Sequence, residues 1–83
     1  MSSAMQDVSE QFAHCVQIMG GTTASSRRLG IDERAIRRFI NGERPISARL
    51  LQDTAQALQA MMAEAAAAVQ AISAALDAGV GEG

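Results

Sequence analysis

The chain has no lysine, tryptophan or tyrosine, and only one proline, one cysteine and two phenylalanines among 83 residues. Each shortage excludes something. A lone Cys15 permits neither an internal disulfide nor a cysteine-built zinc site. Phe12 and Phe39 are too few rings for a β-rich core. No apolar run approaches the roughly 20 residues that a membrane span requires, so no membrane partner is expected. The opening MSSAMQDVSEQ has neither a basic leading region nor an apolar stretch. No secretory leader is expected there, and a reducing, cytoplasmic setting follows. His14 has no second histidine to join it, no serine has a base partner, and no glycine loop follows a strand. Catalytic residues, metal ligands and cofactors are therefore not expected.

Alanine, glutamine, methionine and leucine dominate what remains, and these residues favour helices. Glycine serves as punctuation, at Gly20-Gly21, Gly30, Gly42 and the tail. The expectation is an all-α chain of four to five helices. At this length a single domain buries only about 60–65% of its unfolded surface, so self-association is a natural source of further stability.

Residues 1–7 read as a frayed tail. Val8, Phe12, Cys15, Val16 and Met19 then form one amphipathic stripe, with Ser9 as a candidate cap and Cys15 as a small buried hydrophobe. Gly20-Gly21 ends that helix. Thr22 or Thr23 can cap a short second helix that reaches Leu29. Gly30 breaks the chain, Asp32 is a suitable N-cap, and a third helix runs to about Ile40 before Asn41-Gly42. Pro45 interrupts the loop that follows. From Ser47 to Gly79 nothing stops a long final helix.

Charge is divided unevenly along this plan. All seven basic residues are arginines within 27–49, against three acids there, a local surplus of four. The remaining six acids lie outside, where there is no base at all. A polyanion-facing segment joined to a segment with another task explains that division. On the third helix Ala35, Ile36, Phe39 and Ile40 share one face. Glu33, Arg34, Arg37, Arg38 and Asn41 share the other.

The stretch TTASSRRLGIDERAIRRFIN resembles the helix-turn-helix unit of Cro- and lambda-repressor-like (XRE-type) DNA-binding proteins. Gly30 falls on the turn glycine, Ile31 on the apolar residue after it, and Ile36 and Phe39 on buried positions of the second helix. Ser26 falls where the family usually has alanine, a small residue at the helix crossing. Gly20-Gly21 followed by Thr22 through LGI is similar to the GG-x-x-x-x-A-x-x-LG variant of small phage-type Cro and YdaS-like regulators. NGERPI looks like the loop that leads such domains into a fourth helix. Ser25 departs from the pattern, standing where the family has a buried leucine or similar residue. The second helix is therefore expected to add little core. The resemblance covers roughly residues 12–58.

The resemblance and the charge ridge together imply double-stranded DNA as the partner. Glu33, Arg34, Arg37, Arg38 and Asn41 become candidates for base reading, because arginine matches guanine, asparagine adenine and glutamate cytosine. Thr22, Thr23, Arg28, Arg44 and Arg49 become candidates for phosphate contacts. The organisation expected is a helix-turn-helix domain over 8–58 and a helical extension over 59–78.

In the last helix Leu51, Ala55, Leu58, Met62, Ala65, Val69, Ile72 and Leu76 alternate at spacings of four and three, a heptad pattern. Its first part, through Leu58, is expected to cover the domain core. Met62, Ala65, Val69, Ile72 and Leu76 either fold back onto the first helix or fray, or, the preferred expectation, form a homodimer interface, which would set two recognition helices on an inverted repeat. The function expected is that of a transcriptional repressor of bacterial or phage type. Two rivals are a helical protein-interaction module acting through the alanine-rich helix and an arginine-mediated RNA binder.

Overall fold

The computed structural model describes the backbone of residues 4–79 and the side chains from residue 8 onward. Four helices follow in order: α1 (Ala4–Met19), α2 (Thr22–Leu29), α3 (Glu33–Ile40) and α4 (Ala48–Asp77). No strand occurs among the described residues. The chain is all-α, as expected from its composition.

α1 starts earlier than its apolar stripe. Residues 4–7 are helical, so the tail expected over 1–7 is not the boundary, and Ser9 lies inside the helix rather than capping it. Ala4, Met5 and Gln6 are good helix formers. Residues 1–3 of that expected tail lie outside the described residues. Gly20 and Gly21 close the helix at φ 109° and 105°. Their N–H groups donate to the carbonyls of Gln17 (3.1 Å) and Val16 (2.9 Å). Gly21 is also the N-cap of α2, with no side-chain bond. Neither Thr22 nor Thr23 therefore caps that helix; both already lie in its first turn.

α2 and α3 meet at a sharp corner. Gly30 adopts the left-handed conformation (φ 69°, ψ 30°), and its N–H donates to the Ser26 carbonyl at 2.8 Å. That conformation costs an ordinary L-residue roughly 1–2 kcal/mol, so glycine belongs there. Asp32 occupies the N-cap of α3 as expected, but its side chain accepts no capping bond. Ser47 does cap α4: its Oγ accepts from the Leu50 N–H at 3.1 Å.

The core gathers Phe12 and Val16 from α1, Ile36 from α3 and Leu50 from α4. Leu29, Ile31, Phe39, Ile40 and Ile46 pack around them. The rings of Phe12 and Phe39 meet edge to face with centroids 5.8 Å apart. Phe12 and Ile36 are fully buried, which contributes roughly 1.5–3 kcal/mol each. Of the two serines of α2, Ser25 stands at a buried position, as its register implies, whereas Ser26 is not the small residue sealed at the helix crossing. Ser25 is the fully buried one, and its hydroxyl donates to the Val16 carbonyl at 3.4 Å. Having no bulk, it lets α2 lie close to α1. Ser26 is only half-buried and instead pins the corner by donating to the Ile31 carbonyl.

α4 turns a different face inward from the one its heptads suggest. Leu50 and Thr54 are buried, whereas Leu51 and Ala55 are exposed. The Thr54 hydroxyl is satisfied by the Leu50 carbonyl at 2.7 Å. The core is covered by a stripe one position before the heptad stripe, so Leu51 and Ala55 do not cover it. With 30 residues, α4 measures roughly 45 Å, and its distal part projects past the other helices. The whole molecule extends over 53 × 28 × 22 Å.

Candidate nucleic-acid interface

The geometry of α3 is set from beneath. Ile36 is fully buried and Ala35, Phe39 and Ile40 are half-buried, so the helix lies flat on the core. The opposite side chains, Arg34, Arg37 and Arg38, are all exposed. Glu33 sits at the start of the helix and accepts from Arg37 Nη2 at 3.4 Å, one turn away. Such a solvent-exposed pair contributes at most about 1 kcal/mol and is readily exchanged for another anion. Among the described residues no carboxylate lies within ion-pair distance of Arg34 or Arg38. The structure thus brings Glu33, Arg34, Arg37 and Arg38 onto one exposed ridge.

The other candidates are more scattered. Asn41 follows the last residue of α3 and its amide donates to Glu43 Oε2 at 3.5 Å, so it lies at the far end of the ridge. Arg44 folds its guanidinium over the Phe39 ring, 5.4 Å from the centroid, and its N–H donates to the Arg38 carbonyl at 3.3 Å. That contact ties the loop after α3 back onto the helix. Thr22 and Thr23 stand at the start of α2, where no side chain caps the free backbone N–H groups. The Arg49 side chain is 86% exposed, with a loose 3.9 Å approach to Asp53.

Arg28 behaves differently from the expectation. Its Nη2 lies 2.8 Å from Oε1 of Glu64 and its Nη1 3.4 Å from Oε2, a two-pronged ion pair across 36 residues. The hydrogen bonds and charge of Arg28 hold the Glu64 carboxyl below its ordinary range, and Glu64 in turn raises the guanidinium. This pair crosses the boundary expected between 8–58 and 59–78 and secures α2 to the middle of α4. Nothing in the local sequence pairs the two residues; only the packing of α2 on α4 does.

Met62, Ala65, Val69, Ile72 and Leu76, the expected interface residues, are all exposed. The large ones retain 60–71% of their accessible surface. The sequence also gave no sign of the apolar groove between α1 and α4, lined by Cys15, Ile18, Leu51, Leu58 and Met62. Ile18 is 51% exposed, and its place off the buried stripe was the one available signal. Cys15 is half-buried along this groove rather than sealed in the core. It stands one position before Val16, whose direction the core takes. No helix is long and apolar enough to cross a membrane among the described residues. No group of three or more His, Cys, Asp or Glu among them is arranged to hold a metal ion.

No protein-family model, curated protein or solved structure matches the chain. Its functional interpretation therefore rests on its own residues and geometry.

Proposed function

We propose that this protein is a sequence-specific DNA-binding regulator, a repressor of bacterial or phage type that occupies an inverted-repeat operator as a homodimer. The observation that carries this reading is the ridge of Arg34, Arg37 and Arg38. It is exposed on a short helix whose other side is anchored by the fully buried Ile36, just beyond a left-handed glycine corner. A major groove about 12 Å wide admits one helix with its side chains. Arginines on a rigid helix can then donate in pairs to guanine O6 and N7, while Glu33 addresses cytosine or orients Arg37. Asn41 reaches only bases at the edge of such a footprint. Phosphates fall to Thr22, Thr23, Arg44 and Arg49. Arg28 joins them only by releasing Glu64. The likeness to Cro- and lambda-repressor-like domains points the same way, and occupancy of an operator overlapping a promoter suffices for repression.

The test is selection of bound sequences from random duplex DNA at a stated salt concentration. A palindromic consensus with half-sites spaced by about 10 base pairs or a multiple of it is expected. Enrichment of no sequence, or of RNA over duplex DNA, would remove this reading. The uncovered apolar stripe of α4 favours a second one, a protein-interaction module. In that case replacing Arg37 and Arg38 by alanine would leave partner binding intact.

A further inference from the structure

Apart from the half-buried Leu58, the heptad stripe of α4 is exposed, because the domain core uses Leu50 and Thr54 instead. Leu51 is 36% exposed at its start, and Val69, Ile72 and Leu76 are 60%, 60% and 63% exposed in its distal half. Beside its first half runs the outer face of α1. His14 and Cys15 lie along Leu51 to Leu58, and Ile18 lies along Leu58 to Ala65. The two helices thus form an apolar groove, while the distal half of α4 is an apolar ridge.

The order of large and small residues says what fits. The spacings from Leu51 to Leu76 read the same in both directions, four-three-four-three-four-three-four. Two copies laid antiparallel about a point between Ala63 and Glu64 therefore place every stripe residue against another. Leu51 meets Leu76 of the second copy, Ala55 meets Ile72, Leu58 meets Val69 and Met62 meets Ala65. Each alanine faces a large side chain, so no layer pairs alanine with alanine. A parallel, in-register pair would stack alanine on alanine in two layers and leave voids there.

Charge gives the same orientation. The positions flanking the stripe carry Gln52, Gln59, Ser73, alanine, Thr54 and Met61, none of them charged. Orientation is thus left to the helix ends, where Arg49 stands in the first turn and Asp77 in the last. Arg49 lies 3.9 Å from Asp53 on its own helix, so the ends differ chiefly in their helix dipoles, which antiparallel pairing sets head to tail and parallel pairing sets side by side. Lengths agree as well: the groove from Leu51 to Ala65 and the ridge from Met62 to Leu76 each span roughly 21 Å.

We propose that a second copy of this chain covers the stripe in antiparallel orientation, the distal half of each α4 seated in the α1–α4 groove of the other. The inference rests on the homodimer in the function proposed above, but not on DNA recognition.

Spin labels on single cysteines at the exposed Ala60 and Ala74, in the full chain carrying Cys15→Ser, test it by intermolecular distance. The antiparallel pair sets the two labels at 60 roughly 10 Å apart along the helix axis and the two at 74 roughly 31 Å apart, from the helical rise. Equal distances at both positions, or no intermolecular distance at either, would overturn the proposal. A repacking series gives an independent check at an exposed site. Ala55→Ile should weaken self-association about tenfold by overfilling the layer with Ile72, and adding Ile72→Ala should restore it. A tighter dimer from Ala55→Ile alone is the opposite result and would sink the idea. The expected distances without any selected DNA consensus leave this dimer standing and remove only the regulator. A consensus obtained with equal distances does the reverse.

Discussion

Residues 27–49 and residues 59–78 solve the same problem in opposite ways. The first segment is rich in charge, yet its apolar residues, Leu29, Ile31, Ile36, Phe39, Ile40 and Ile46, all turn inward onto one core. The second carries only Glu64 and Asp77 as charges, yet leaves Met62, Val69, Ile72 and Leu76 largely bare. Burial within the chain frees the arginines of α3 to face outward. The apolar face of distal α4 has no such cover, because the domain core is already closed by Leu50 and Thr54. One region has its apolar residues covered within the chain and presents charge to solvent; the other presents hydrophobic area that the chain does not cover.

The sharpest way to break this contrast is to exchange the same damage between the two regions. Phe12→Ala or Ile36→Ala should destabilise folding by about 2–5 kcal/mol, the range for truncating buried residues, as read by urea unfolding. Ile72→Ala should leave that unfolding within about 0.5 kcal/mol in dilute solution, as surface substitutions do, but remove concentration dependence from Tm. If Ile72→Ala destabilised the dilute protein as much as Ile36→Ala, distal α4 would be core and the contrast would fail.

Next in size is the arginine ridge. Arg37→Ala and Arg38→Ala should each lower specific DNA affinity by about 1–3 kcal/mol, with stability nearly unchanged. Fluorescence anisotropy on the selected duplex and on a scrambled one measures the loss, which should be confined to the selected duplex. The corner beneath the ridge comes third. Gly30→Val places a β-branched residue at φ 69° and should cost roughly 1–2 kcal/mol or more. Chemical denaturation reads this, and an unaffected midpoint would mean that the corner does not constrain α3.

The smallest effect belongs to the strap joining the two regions. Arg28 holds the Glu64 carboxyl below its ordinary pKa in the folded state. Its contribution to stability is therefore complete above the ordinary carboxylate range and is lost as pH falls through the depressed folded value. Both groups face solvent, so Glu64→Gln should change the neutral-pH midpoint little while flattening its decline under acid. The same substitution releases Arg28 for a phosphate, so the salt dependence of DNA binding should steepen by about one unit of logarithmic slope. An unchanged slope would exclude Arg28 from the phosphate contacts.

Much of this was legible in the order of residues. Glycine pairs and the left-handed Gly30 punctuate the chain because few other residues tolerate those φ angles. The inward and outward faces of α3 follow from helical period alone, with Ile36 and Phe39 one side and Arg34, Arg37 and Arg38 the other. The caps were less legible. Asp32 stands at an N-cap position without making the bond, and Thr22 and Thr23 lie inside the first turn of α2. Cap identity depends on side-chain rotamers and on how the preceding turn is bent, which residue type does not encode. Ser25 was legible as a buried position, but the part of Ser26 was not, because its bond to the Ile31 carbonyl exists only once the corner is bent.

Periodicity, charge placement and glycine positions by themselves determined four helices, a basic ridge on the third and a repeating apolar stripe on the last, since each is a property of local backbone geometry. Tertiary structure alone decided that α4 covers the core with Leu50 and Thr54, that Arg28 reaches Glu64, and that α1 and α4 enclose a groove. These depend on the angle and distance at which whole helices pack, a global compromise among all their side chains that no single segment contains.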